Sequence, residues 1–198
     1  MADQTPENEI DDIIRRCLQN DQSAFTQLYQ QFADGIYRLC YGLIMNKHDA
    51  EDVVQESFVY AFKNLYRFDC NRASFKTWLF TIAVSRCRNT YRRKRLTQVD
   101  LSQLFHLQLC APRSDTPEAR LASRNAQDEL VKALANISPQ LREAVVLRYG
   151  HGLTFREIAD VMCCPAKTAE SRIRLAHQQL RGLLEMNGRG LLEELLSF

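Results

Sequence analysis

Glycine and proline are scarce in this 198-residue chain, with seven and five copies respectively. Both residues interrupt helices, and apolar residues recur at every third or fourth position, so the sequence predicts an all-α protein. No apolar run approaches the roughly 20 residues that a membrane-spanning helix needs, and we expect no direct membrane insertion. The first twelve residues are polar and acidic, so we also expect no signal peptide.

Recognisable metal and catalytic motifs are also missing. The seven cysteines are an odd number, Cys163 and Cys164 are adjacent, and no C-x-x-C spacing occurs. Disulfide frameworks belong to small secreted chains, so we expect reduced thiols, a cytoplasmic location, no metal and no cofactor. The four histidines are scattered, and no nucleophile–base pair or phosphate-binding loop is present, so we expect no enzyme.

Charge is unevenly distributed, although the formal net charge is only +2. Residues 1–66 carry five cations and eleven acids, whereas residues 67–95 carry nine cations and one acid. This asymmetry predicts two kinds of partner, an anion such as nucleic acid and a basic or polar protein surface.

The cations of residues 67–95 lie among aromatic side chains. A polar loop, Asp69–Ser74, leads into a helix that carries Phe75, Trp78, Phe80 and Tyr91. Cations that hold phosphates, with aromatic faces that stack on unpaired bases, are typical of single-stranded nucleic-acid binding. The same helical spacing is also typical of an ordinary core, and both interpretations stay open here. The helix ends in a basic cluster of Arg86, Arg88, Arg92, Arg93, Lys94 and Arg95.

Two helical units follow from the pattern, joined by a linker. The first is predicted over residues 1–96, with helices over 9–19, from a cap at Asp21, from Asp49 and over 74–95. Residues 97–116 lack a sustained stripe and are predicted to be a flexible linker, with a short helical piece at 101–109. The second unit, residues 117–186, is predicted to begin with a helix from Thr116-Pro117 to Ala135, and residues 187–198 form a short tail.

The second unit contains a helix-turn-helix pattern. A helix from Ser138-Pro139 is predicted to end at Gly150, and the capping box Thr154-x-x-Glu157 opens a short helix. After the break at 163–165, a longer helix over 166–185 would present its first half to the major groove of DNA. Ala159 is predicted at the helix crossing, and Ile173 in the core.

With both units located, the chain resembles the extracytoplasmic-function sigma factors of bacterial transcription initiation. The resemblance covers residues 24–184 and is carried by three segments, DAEDVVQESFVYAFKNLYRFD (49–69), ASFKTWLFTIAVSRCRNTYRRKRL (73–96) and LREAVVLRYGHGLTFREIADVMCCPAKTAESRIRLAHQQL (141–180). It implies two helical domains that bind core RNA polymerase at the β′ clamp helices and the β flap, together with promoter DNA. Members are usually held inactive by an anti-sigma protein, often anchored in the membrane, so such a partner is expected.

The resemblance also implies three sets of site residues. Polymerase binding is expected at Asp49, Asp52, Gln55 and Glu56. Contact with the melted −10 strand is expected at Asp69, Asn71, Arg72, Ser74, Phe75, Lys76, Trp78, Arg86, Asn89, Tyr91, Arg92 and Arg93. Contact with the −35 duplex is expected at Arg156, Pro165, Ala166, Lys167, Glu170, Ser171, Arg172 and Arg174.

The chain departs from the family pattern in the second unit. Lys167 replaces a glycine, Glu170 replaces a frequent cation, and Leu175 and His177 stand where arginine is often found. The groove-facing helix is therefore less basic than usual, and Glu170 could either accept a hydrogen bond from a cytosine amine or repel phosphate. An alternative function is a stand-alone helix-turn-helix regulator, which would leave Trp78 and the acidic helix as core and surface.

Overall fold

The computed structural model describes residues 6–94 and 129–187, and within these ranges the regular structure is helical, without strands. They form two compact units, the first of residues 6–94 and 160–163 and the second of residues 129–159 and 164–187. The predicted all-α class is confirmed. The predicted linker, the helix start at Thr116-Pro117, the tail from 188 onward and Arg95 lie outside the described residues. None of the helices described is long and apolar enough to cross a membrane.

The first unit is a bundle in which α2, α3 and α4 pack against one another and α1 packs on α2. Its elements are α1 Pro6–Leu18, α2 Gln22–Ile44, α3 Lys47–Lys63, a 3-10 turn Leu65–Arg67 and α4 Phe75–Lys94. Leu28, Ile36, Leu39 and Leu79 are fully buried between these helices. Burying each such side chain contributes about 1.5–3 kcal/mol, so this face-to-face packing holds the bundle together.

Side-chain caps set where two of these helices begin. The Asp21 carboxylate accepts a hydrogen bond from the Ser23 backbone N–H at 2.9 Å, which confirms the predicted cap of α2. The prediction that α3 starts at Asp49 is wrong by two residues. The Asn46 side-chain oxygen accepts from the Asp49 N–H at 3.0 Å, so Asn46 is the N-cap and α3 begins at Lys47.

The fourth helix runs through the middle of the first unit. Residues 75–87 of this helix are buried on several sides, at Leu79, Phe80, Ala83, Val84 and Cys87. Beyond Cys87 most of the described side chains reach solvent. The bundle therefore fixes the direction in which the basic end of α4 projects.

The second unit is built around α6 and α8, which pack against each other. Its elements are α5 (residues 129–136), α6 Pro139–Val145, a π-helical turn Val146–Gly150, α7 Phe155–Met162 and α8 Ala166–Asn187. The predicted end at Gly150 is confirmed, although the last turn is π-helical rather than α-helical. Arg142, only 8% exposed, donates from Nε to the Leu134 carbonyl at 2.8 Å and from Nη2 to the Ala135 carbonyl at 3.0 Å. These bonds satisfy the free carbonyls at the end of α5 and compensate for burying the charge.

The predicted order of short helix, three-residue break and longer helix is confirmed, because α7 ends at Met162 and α8 begins at Ala166. The capping box is confirmed, because Thr154 N–H donates to the Glu157 carboxylate at 2.8 Å and Glu157 N–H donates to the Thr154 hydroxyl at 3.3 Å. After α7, Cys163 takes a left-handed conformation with φ of 52°. Ala159 and Ile173 are buried, as predicted, at 6% and 4% exposure.

Candidate functional site

The residues predicted to bind polymerase lie on the outer side of α3. Asp52, Gln55 and Glu56 are exposed, and Asp49 is half-buried in the first turn. The opposite side of the helix is buried through Val53, Val54, Ser57 and Phe58. Because the core clamps that side, the three exposed side chains are held facing solvent.

An open groove of about 310 Å³ runs between α2 and α3 beside these acids. It is lined by Tyr29, Ala33, Asp34, Tyr37, Glu51, Val54 and Gln55. Tyr29 is 42% exposed, and its ring lies at the rim of the groove with its centroid 4.7 Å from that of Phe58. The groove is thus acidic and aromatic, which suits a basic or polar protein surface.

The loop before α4 is organised by one carboxylate. The Oδ1 atom of Asp69 accepts from the backbone N–H and from the side-chain amide of Asn71, both at 3.0 Å. Ser74 ends the loop, and its hydroxyl accepts from the Thr77 N–H at 3.2 Å. Asp69, Asn71, Arg72 and Ser74 are all exposed, so the loop presents polar groups from a defined backbone.

The aromatic residues behind the loop separate into core and surface. Phe75 is 3% exposed, and its ring centroid lies 5.1 Å from Phe32, 5.5 Å from Phe68 and 5.7 Å from Trp78. Phe80 is also buried. Neither ring has a face open to solvent, so the structure places Phe75 in the core, and its contact with DNA stays a prediction. Trp78 is half-buried against Phe68 and Phe75 and keeps one part at the surface.

The other predicted −10 residues follow along α4. Lys76 is exposed, with its ammonium 5.5 Å from the Phe80 ring. The Tyr91 hydroxyl donates to the Leu43 carbonyl, which ties α4 to the end of α2 and gives Tyr91 a structural contact. The half-buried Arg86 and the exposed Asn89, Arg92 and Arg93 line an open groove of about 570 Å³ between α3 and α4. Arg86 lies about 12 Å beyond Trp78 along the helix axis.

This second groove also contains residues without a predicted role. Tyr60 and Lys63 of α3 face the arginines of α4. Glu56, one of the residues predicted to bind polymerase, lines the same groove. The available signal in the sequence was the spacing Asp52, Glu56, Lys63, which places all three on one side of a helix. That spacing alone does not reveal that α4 lies opposite.

The predicted −35 residues lie at the start of α8, the second helix of the helix-turn-helix, apart from Arg156 on α7. Arg156, Pro165, Ala166, Lys167, Glu170, Ser171 and Arg174 are exposed, and Arg172 is half-buried. Ala169, Ile173 and Ala176 bury the opposite side of α8 against the rest of the unit. Ser171 donates its hydroxyl proton to the Lys167 carbonyl at 2.8 Å, so the hydroxyl oxygen remains available as an acceptor.

Comparisons with known proteins agree with this geometry. Residues 28–97 match the family model of Sigma-70 region 2, and residues 127–180 match that of Sigma-70 region 4. The chain is 29% identical over 175 residues to the ECF RNA polymerase sigma factor SigW of Bacillus subtilis, covering 85% of this chain and 92% of that protein. It is 30% identical over 174 residues to the ECF RNA polymerase sigma-E factor of Escherichia coli, covering 85% and 90% respectively.

Among solved structures, the chain is similar to CnrH in complex with the cytosolic domain of CnrY. The TM-score is 0.65 at 26% sequence identity, over 89% of this chain and 97% of that chain. Both sigma regions are therefore present, in the family's order and over nearly the family's full length. The chain belongs to the ECF RNA polymerase sigma factors, which act in transcription initiation.

Proposed function

We propose that this sigma factor binds core RNA polymerase through α3, the melted −10 strand through α4 and its preceding loop, and the −35 duplex through α8. The observation that carries the proposal is the pair of surfaces on the first unit. Asp52 and Glu56 are exposed on α3, while Arg86, Arg92 and Arg93 line a groove on α4. Opposite charges on one rigid bundle suit a polymerase and a nucleic acid held side by side.

Energies support a role that depends on polymerase. Opening six base-pair steps costs on the order of 8 kcal/mol, at about 1.4 kcal/mol per step. Stacking an unpaired base on an aromatic ring returns about 1–3 kcal/mol. Among the described residues of the predicted −10 set, Trp78 is the aromatic residue beside the loop whose ring is partly exposed. Phe75, the other aromatic residue there, is buried. Much of the free energy needed to open the DNA therefore comes from contacts that polymerase makes, and α3 binds the polymerase.

The −35 surface is built for duplex DNA. Lys167, Arg172 and Arg174 supply cations for phosphates, and Ser171 and Glu170 supply hydrogen-bonding groups for base edges. Glu170 can accept from a cytosine amine, a contact that discriminates by about 1–3 kcal/mol. We propose the domain limits 1–96 and 117–186, with residues 97–116 as the linker between the two DNA elements and 187–198 as a short tail.

A protein inhibitor is the further partner that we propose. CnrH, which resembles this chain over nearly its whole length, was solved with the cytosolic domain of CnrY. An anti-sigma protein that covers the acidic and aromatic groove between α2 and α3 would compete with polymerase for the same residues. We propose that the chain acts in the bacterial cytoplasm and is held at the inner membrane when its anti-sigma partner is anchored there.

Transcription from a library of genomic fragments tests the proposal. Core polymerase with the chain is expected to start transcripts at defined sites that core polymerase alone does not use. The Asp52→Lys, Glu56→Lys double variant should lose this stimulation and bind core polymerase weakly, while its helical circular dichroism is unchanged. Lys47→Ala alters a charge on the same helix outside the predicted set and should behave as wild type. Absence of any stimulated start site would refute the proposal.

A further inference from the structure

The exposed side of α3 changes sign along its length. Asp52, Glu56, Val59 and Lys63 follow at spacings of four, three and four residues and are all exposed, so they share one side of the helix. The first half of this side carries carboxylates, whereas the second half carries Lys63 with Tyr60 beside it. A helix side that binds a single partner would be expected to carry one sign of charge along its length. This side changes from acidic to basic and therefore suits two partners.

The second half of the stripe forms one wall of the groove between α3 and α4. The groove holds about 570 Å³ and is lined by Glu56, Val59, Tyr60, Lys63, Arg86, Asn89, Arg92 and Arg93. Four cations face a single carboxylate there, and the Asn89 amide adds a neutral hydrogen-bonding group. This composition suits an anionic chain that lies along the groove.

One contact gives the groove a stacking platform. The Arg86 guanidinium lies 4.6 Å from the centroid of the Tyr60 ring, and Tyr60 remains 39% exposed. A cation held over an aromatic ring is stabilised by the ring's quadrupole, so Arg86 is kept in the groove. An unstacked base can rest on the exposed part of the Tyr60 ring while the neighbouring Arg86 guanidinium holds its phosphate.

We propose that the C-terminal half of α3 binds single-stranded DNA: Tyr60 stacks on one unpaired base, and Lys63 holds the phosphodiester backbone opposite the arginines of α4. This inference rests on the proposed function and extends it from α4 to α3. Polymerase and DNA surfaces then adjoin on a single helix, with Glu56 at the border. An acidic peptide is the alternative occupant, but it carries no base that could stack on the Tyr60 ring.

Binding of labelled single-stranded DNA to the polymerase–sigma complex tests the inference. The probe is a short fluorescein-labelled oligonucleotide of mixed sequence, and anisotropy is followed across a salt series. Lys63→Ala is expected to lower the slope of log K against log salt by about 0.7, the value for one lost phosphate contact on a single strand. Tyr60→Ala is expected to weaken binding by about 5-fold to 150-fold, and Tyr60→Phe should bind as wild type.

Controls separate this inference from the proposed function. Lys47→Ala removes the same charge from the same helix outside the groove and should leave the salt slope unchanged. Fluorescence of Trp78, the chain's single tryptophan, reports whether each variant's first unit is folded. If wild type adds DNA binding to core polymerase but Tyr60→Ala and Lys63→Ala match it, the inference is overturned while the proposed function stands. If wild type adds none, the proposed function fails and the inference with it.

A competition experiment tests the choice of occupant. Polyglutamate at a charge concentration equal to the DNA phosphates should displace the oligonucleotide poorly, because it offers no base to Tyr60. Equal displacement by polyglutamate, with no loss of DNA binding in Tyr60→Ala, would overturn the inference in favour of an acidic protein partner.

Discussion

Truncating Phe75 should destabilise the first unit severely, because the ring supports the surface on which Trp78 rests. Phe75 is 3% exposed and touches three other aromatic rings at centroid distances of 5.1 to 5.7 Å. Phe75→Ala removes the buried ring and leaves a cavity, which costs about 3–5 kcal/mol in comparable cores. A domain is stable by about 5–15 kcal/mol, so the variant should still fold, but with a much lower urea midpoint.

The assay is urea unfolding followed by the fluorescence of Trp78. Because the chain has one tryptophan, this signal reports the first unit alone. Phe75→Leu keeps most of the apolar volume and is the matched control, with an expected cost well below that of Phe75→Ala. A loss below about 0.5 kcal/mol in Phe75→Ala would refute the buried placement, since that is the range of ordinary surface substitutions.

A DNA-binding measurement distinguishes whether Phe75 only supports Trp78 or itself contacts DNA. If Phe75 only supports Trp78, Phe75→Leu should keep oligonucleotide affinity within about threefold of wild type, whereas Trp78→Ala should weaken it by at least about fivefold. The Trp78→Ala unfolding is followed by circular dichroism, because that variant lacks the fluorophore. An equal loss of binding in Phe75→Leu and Trp78→Ala, with Phe75→Leu fully stable, would show that Phe75 itself contacts DNA.

Three further predictions concern stability. Thr154→Ala should destabilise the second unit by about 1 kcal/mol through loss of the N-cap bond to Glu157, as measured by a circular-dichroism transition that Trp78 fluorescence does not report. Burial and the nearby Arg181 lower the pKa of His177, so its contribution to stability is complete above about pH 6.5 and is lost as pH falls toward the folded-state value. His177→Phe should flatten that dependence in urea melts between pH 7 and 5. Hydrogen bonds from Ser23 and Arg16 lower the pKa of Asp21 to about 2, so the stability that the Asp21 carboxylate contributes should disappear as pH falls from 3.8 toward 2. Asp21→Asn should remove this acid-dependent part of the stability. For His177 or for Asp21, equal pH profiles of the variant and the wild type would contradict the assignment.

Local chemistry explains which features the sequence could predict. The caps at Asp21 and Thr154 involve residues two or three positions apart, so a short motif specifies them completely. The α3 boundary was missed because Asn46 competes with Asp49 as a cap, and the same few residues allow either start. Burial of Ala159 and Ile173 followed from helix-turn-helix spacing, which fixes the crossing of two adjacent helices.

Long-range packing explains what the sequence could not predict. Phe75 carries the spacing of both a core and a stacking residue, and the choice depends on Phe32 of α2, more than forty positions earlier. The same limit applies to Tyr60 and Lys63, which acquire their neighbours only when α4 lies against α3. Pairwise helix contacts of this kind are absent from the periodicity of any single helix.

We propose that polymerase and this chain together open a promoter that neither opens alone. The direct measurement is the fluorescence of 2-aminopurine placed in the −10 region of a promoter identified from the fragment library. Fluorescence is expected to rise when core polymerase and the chain are both present, and to stay unchanged with either component separately. A rise with core polymerase alone, or no rise with the complete mixture, would contradict this proposal.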